Sequence, residues 1–223
     1  MTHQLTNGVR SSGSPFPPDS DFDVPLCFLP GTLIATPAGA RPVEELAIGD
    51  LVLTAKGGVV PVKWIGQQTV HTIFGMAEGR RPVCISAGAL GNNLPARDLK
   101  LTSDHALLID GVLVHAGALV NGTTIRRMAF EELGQRFTVY HIETENHEVV
   151  LAEGTPTETF IDNVSRARFD NYAEYEALYG PAPAPMAELS QPRAMSRRQV
   201  PASIHARIAA AAGQILPQGE QAA

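Results

Sequence analysis

Two cysteines and seven histidines carry most of the covalent and proton-transfer chemistry open to this 223-residue sequence. Cys27 stands in VPLCFLPGTLIAT, where a polar lead runs into the first apolar segment. A free cysteine is as a rule a small buried hydrophobe. At the mouth of a domain it gains the access that thiolate chemistry needs alongside a lowered pKa. Cys84, inside the apolar PVCISAGAL, reads as core. His105 lies in DLKLTSDHALLID, three residues after Thr102. A hydroxyl at that spacing can bond backbone groups while the imidazole reaches across a cleft, although T-x-x-H is common by chance. Asp104 can support His105, but an alternating strand turns it to the opposite face. His141 and His147 flank Glu145-Asn146, a candidate two-residue turn. On such a hairpin the two imidazoles would be near neighbours on one face. Clustered histidines also suit zinc, but no CxxC or HExxH spacing accompanies them. No metal and no cofactor are expected.

The elements that must position these groups are short. GTLIAT (31–36) runs into a turn at Pro37 to Ala40. LVLT (51–54) and VVPVKWI (59–65) flank AKGG, and LLI (107–109) and VLV (112–114) flank Asp110-Gly111, a strong hairpin signal. TVYHIET (138–144) and HEVVLA (147–152) are expected to pair across Glu145-Asn146. Short strands between turns, with no long helical pattern among them, indicate an antiparallel all-β domain over residues 24–163. Residues 1–23, rich in Ser, Pro, Asp and Gly, read as a disordered lead. Residues 164–223 read as a tail with one or two helices joined by PAPAP (181–185). In SRARFDNYAEYEALYG (165–180), Phe169, Tyr172 and Tyr179 fall near one helical face. SIHARIAAAAGQIL (203–216) has a thin apolar face and is expected to be exposed or transient.

Taken in order, the motifs resemble a known family. CFLPGTLIATPAGARPVEELAIGDLVLT is similar to the opening block of the Hint (Hedgehog/intein) superfamily, LTSDH to its T-x-x-H block, and TVYHIETENHEVVLAEG to its penultimate block. Val62 to Gly66, V-x-W-I-G, and the A-E-G after the last expected hairpin resemble the bacterial Hint-domain proteins in particular. The resemblance spans residues 24–163. It implies a compact, horseshoe-shaped all-β fold with a short C-terminal helical tail, and a domain that cleaves its own backbone through a thioester.

On that resemblance the target is the Leu26–Cys27 bond. Cys27 attacks the carbonyl of Leu26 in an N-to-S acyl shift, His105 protonates the departing nitrogen, Thr102 positions the amide and His147 supports acid–base chemistry. His141 stands where inteins often carry Asp, and with Asp104 it is a supporting candidate. The substrate is then the chain's own N-terminal segment, and the acyl acceptor is water or a small nucleophile. Asp162-Asn163 is followed by Val164, so ligation in the manner of splicing inteins is not expected; Asn163 retains the option of cyclisation. Two other readings stay open. One is an inactive Hint-fold interaction module, suggested by the small size of a 26-residue released piece. The other is a trans-acting cysteine hydrolase, for which Cys and His are the minimal pair.

Composition narrows the field further. Acidic residues outnumber basic ones 23 to 17, for a net charge of −6, which disfavours a non-specific nucleic-acid binder. The 20 glycines and 17 prolines exceed the average combined share of about 12% and fit a turn-rich β-fold. Two cysteines make no disulfide framework. No apolar run approaches the roughly 18 residues of a membrane span, and no secretory h-region opens the chain. The cytoplasm is the default expectation, with non-classical export left open, and neither nucleic acid nor membrane is expected as a partner.

Overall fold

The computed structural model describes residues 26–73, 75–160, 165–181 and 186–215. Its regular structure is mainly short strands, as the turn spacing predicts. In chain order they are β1 (Leu33–Thr36), β2 (Gly39–Pro42), β3 (Leu51–Leu53), β4 (Val59–Pro61), β5 (Trp64–His71), β6 (Val83–Ile85) and β7 (Leu99–Leu101). There follow β8 (Ala106–Ile109), β9 (Val112–His115), β10 (Ile125–Arg127), β11 (Arg136–Glu143), β12 (Val149–Ala152), β13 (Thr155–Glu158) and β14 (Arg193–Ala194). Three α-helices accompany them: α1 (Phe130–Leu133), α2 (Tyr172–Tyr179) and α3 (Ala202–Ile215).

The largest sheet has seven strands in the order β14-β9-β8-β13-β12-β1-β2. β1 pairs with β2, and the two hairpins expected across AKGG and Asp110-Gly111 form, β3 with β4 and β8 with β9. The last turns on Asp110 and Gly111, both with positive φ (50° and 78°), the conformation a two-residue type I′ turn requires.

The third expected hairpin, across Glu145-Asn146, does not form. β11 pairs with β5 over eight registered positions, from Arg136↔His71 to Glu143↔Trp64, while β12 pairs with β13 and β1. The reason lies in the turns. Neither Glu145 nor Asn146 takes a positive φ, so the tight return of a hairpin is missing, and His147 at φ 55° instead swings the chain into the other sheet. Glu153-Gly154, at φ 48° and 76°, is the two-residue turn that closes β12 on β13. His141 and His147 are therefore not cross-strand neighbours.

Two apolar clusters fill the interior. One gathers Phe28, Ile34, Leu99, Leu101, Leu107 and Ile142 among others. The second holds Cys27, Trp64, Cys84, Phe160, Phe169 and Tyr175. The residues after the β-domain are part of this packing. Tyr175, not Tyr179, is the buried residue of α2, and Phe169 precedes the helix after a 3-10 turn at Arg166–Arg168. Helix α3 is docked, not loose: Ile204, Ile208 and Ala211 fall on one face and are buried, and Arg207 reaches the Leu90 carbonyl and Asp110. The face is narrow, but small alanines let it approach closely. No helix among the described residues is long and apolar enough to cross a membrane.

Gly66 shows how tight the second cluster is. A Cβ there would lie 2.7 Å from Phe169 Cδ1 and 2.9 Å from Trp64 Cζ3, both ring atoms in a packed core. Gly66→Ala is expected to lower stability by about 1–3 kcal/mol through overpacking. Urea denaturation checks this, and an unchanged midpoint would show that the rings shift freely.

Candidate active site

The site is built around the incoming chain. Leu26, Cys27, Phe28 and Leu29 are all buried. Phe28 bridges to both Leu101 and Tyr140, so the segment lies between β7 and β11. Its backbone bonds both ways with Tyr140 (2.8 and 2.9 Å), and Leu29 N–H donates to the Lys100 carbonyl at 3.1 Å. A segment with so many donors committed to strands on both sides has little freedom.

Thr102, just past the end of β7, grips Cys27 twice. The Cys27 N–H donates to Thr102 Oγ1 at 2.8 Å, and the Thr102 N–H donates to the Cys27 carbonyl at 2.9 Å. The nitrogen of the Leu26–Cys27 bond is thus held by a side-chain oxygen. Three residues on, His105 is buried with its ring 4.5 Å from that of Phe28. Its Nε2 lies 2.9 Å from the Glu158 carbonyl. A carbonyl can only accept, so Nε2 carries the proton, and in the neutral ring Nδ1 keeps a lone pair. That Nδ1 has no hydrogen-bond partner. Burial lowers the pKa of His105, while Glu158 and the Cys27 backbone pull it upward. The ring is therefore neutral, and able to accept a proton, at neutral pH.

The thiol is less accessible than the sequence suggests. Cys27 is fully buried in the aromatic cluster, and burial pushes its pKa well above the ordinary value. No hydrogen bond joins its Sγ to an imidazole among the described residues. Cys84 is also buried and is pushed up by burial and by Asp98.

His141 lies between the two clusters, 5.9 Å from His105, 4.9 Å from Phe160 and 5.9 Å from Phe169, ring centroid to centroid. Neither of its ring nitrogens has a partner. Burial, reinforced by His105, pushes its pKa well down. His147 is buried too, with Nε2 3.7 Å from Glu158 Oε2, an ion-pair distance. Asp104 faces solvent and approaches His115 at 3.8 Å, away from His105. Asn163 lies outside the described residues. The fold thus brings Cys27, Thr102, His105, His141 and His147 into one region and leaves Asp104 out of it.

Four charged residues escaped the sequence reading. Glu158 Oε1 accepts the Ala106 N–H at 3.0 Å, and Arg193 binds both carboxylate oxygens at 3.0 and 2.8 Å. Burial raises the pKa of Glu158, but His147 and Arg193 outweigh it and hold the carboxyl at about 2. Glu143 is the counterpart on the other side: Arg166 Nε donates to its Oε2 at 2.7 Å, and Tyr175 Oη donates to its Oε1 at 3.4 Å. The Arg166 guanidinium also lies over the rings of Phe160 (4.3 Å) and Tyr175 (4.9 Å). A carboxylate inside an otherwise apolar or Thr-rich strand was the available signal. Its arginine lies 35 residues away for Glu158 and 23 for Glu143, beyond the reach of local pattern. No group of three or more His, Cys, Asp and Glu side chains among the described residues is arranged to hold a metal ion.

The depressed groups have a consequence for stability. A group whose folded pKa lies below its unfolded value stabilises fully above the unfolded pKa and loses that contribution as pH falls. For His105 and His141 the loss begins below about 6.5, and for Glu158 it runs from 4.5 to about 2 and amounts to about 3 kcal/mol. The melting temperature is expected to fall progressively as the pH drops from 7 to 4. His141→Leu removes two unbonded buried nitrogens and one depressed histidine, so it is expected to raise stability at pH 5 by ~1 kcal/mol and flatten the slope. A slope equal to that of the wild type would show that His141 does not titrate in the fold.

A family model for the Hint domain matches residues 26–164. No curated protein matches the chain. Among solved structures, the MchDnaB-1 intein is similar at 18% identity and a TM-score of 0.43, over 61% of this chain and 100% of that one. The bacterial intein-like domain from Clostridium thermocellum is similar at 16% identity and a TM-score of 0.42, over 60% of this chain and 98% of that one. A DnaB intein from Synechocystis sp. is similar at 12% identity and a TM-score of 0.42, over 61% and 100% of the two chains.

Proposed function

Because the chain belongs to the Hint domain family, whose fold is of the autoprocessing type, we propose that it cuts its own backbone at the Leu26–Cys27 bond. The observation that carries this reading is the double grip of Thr102 on Cys27, with the lone-pair nitrogen of a neutral His105 in the same buried region. An amide resists attack because resonance stabilises its C–N bond. Three groups lower that barrier. Cys27 Sγ, three bonds from its own backbone nitrogen, can reach the Leu26 carbonyl carbon by closing a five-membered ring. His105 Nδ1 takes the thiol proton as sulfur bonds to the carbonyl carbon. The Cys27 nitrogen, held by Thr102 Oγ1, then leaves with that proton as a free amine. The product is a thioester between Leu26 and the Cys27 side chain. Water attacks the thioester, the thiol leaves with a proton, and residues 1–26 depart with a new carboxylate.

Burial shapes the rate of this chemistry. The raised thiol stays protonated at neutral pH, so attack depends on proton transfer to His105. The same burial counts against a trans-acting hydrolase, which needs a thiol open to an outside substrate. It also favours a second reading, an uncleaving Hint-fold interaction module.

Intact mass spectrometry of freshly made wild-type protein separates the two. Self-cleavage yields a species beginning at Cys27 and a released 26-residue piece; a chain that stays whole overturns the proposal in favour of the module. Cys27→Ala is expected to abolish cleavage, and His105→Ala to slow it roughly 10²–10⁴-fold. Thr102→Val leaves the Cys27 N–H unbonded and is expected to reduce both cleavage and stability, the latter by about 1–3 kcal/mol. The wild-type rate is expected to stay level from pH 7 to pH 9, where the buried thiol keeps its proton and His105 is neutral, and to fall at acid pH, below about 6.5, as His105 takes up a proton.

A further inference from the structure

The family match ends at residue 164, yet a side chain beyond it reaches the site. We infer that Arg193 and Glu158 are positioning residues for self-cleavage: Arg193 holds the Glu158 carboxylate, and Glu158 ties His105 and His147 to one point. This rests on the reading that the chain cleaves itself.

Glu158 is a junction. Its carbonyl receives His105 Nε2 at 2.9 Å, its Oε1 receives the N–H of the next residue, Ala106, at 3.0 Å, and its Oε2 faces His147 Nε2 at 3.7 Å. These contacts matter because β13 and β8 share one registered pair, Thr157↔Leu107. With so short a ladder, the bonds from Glu158 supply much of what seats His105 against β13.

Arg193 in turn is placed by its backbone. Strand β14 adds to the edge of β9 in parallel, with Arg193 opposite Leu113, and the Leu113 N–H donates to the Pro192 carbonyl at 2.9 Å. The guanidinium then spans both oxygens of Glu158 and also meets Glu188 at 3.0 Å nearer the surface. The charged and titratable groups around Glu158 come from three elements: Arg193 from β14, His147 ahead of β12 and His105 ahead of β8, with His141 on β11 also feeling its charge. Without Arg193, the buried carboxylate must either take up a proton itself or be paired by a site histidine that takes one up. Either change disturbs the histidine that the proposed chemistry uses.

The test is made on the full chain. Arg193→Ala is expected to slow release of the 26-residue piece roughly tenfold to a hundredfold, as a small misplacement of an acid–base group does. Arg193→Lys is expected to restore part of the rate. Because the alanine variant also loses stability, the deciding variant is the neutral pair Glu158→Gln with Arg193→Met. An uncharged pair of similar volume is expected to recover the melting temperature while cleavage stays at least tenfold down. A neutral pair that cleaves at the wild-type rate overturns the inference and leaves the ion pair a purely structural one. If the wild-type chain releases nothing, self-cleavage itself fails, and the positioning is decided by the ring ¹⁵N signals of His105. Those signals are expected to move between wild type and the neutral pair; unmoved signals overturn it.

Discussion

The structure depends on one insertion. Residues 27–29 lie as a short extended segment between β7 and β11, bonded to Lys100 and Thr102 on one side and to Tyr140 on the other. That places a peptide bond which would ordinarily lie on a flexible junction inside a protein core. Once there, its nitrogen meets a hydroxyl, its cysteine enters an aromatic cluster, and the imidazole of His105 lies tilted against the ring of the next residue, Phe28. Remove the insertion and the same side chains would be an unremarkable set of buried polar groups.

Burial acts in two directions at this site. It lowers His105 and His141, keeping both imidazoles neutral, and it raises Cys27, keeping its proton on sulfur. Both follow from one cause, the cost of a charge in a medium of low polarity. The charges that do persist are paired. Glu158 is matched by Arg193 and Glu143 by Arg166, each arginine lying beyond the family-matched region. Residues 165–181 and 186–215 are therefore bound to the β-domain by ion pairs as well as by Phe169, Tyr175, Ile204 and Ile208.

Much of the scaffold was legible in the chain. Asp110-Gly111 marks its hairpin because those residues tolerate positive φ, and that turn forms. The parallel inference at Glu145-Asn146 fails because neither residue adopts such a φ; Gly154, one strand later, does. The motif residues Cys27, Thr102 and His105 were visible by type and order, whereas Glu158 and Arg193 were not. A carboxylate and an arginine 35 residues apart announce nothing until a sheet sets them side by side.

By itself the sequence determined the strand-and-turn alphabet, the all-β class, the family and the identities of the reactive side chains. These depend on local backbone preference and on ordered motifs, which adjacent residues encode. Tertiary structure decided which strands pair, that the Cys27 thiol is sealed from solvent, that Asp104 faces away, and that the segment after the family domain supplies the arginines. Each of these depends on contacts between residues far apart in the chain, where burial and charge pairing, rather than local propensity, select the arrangement.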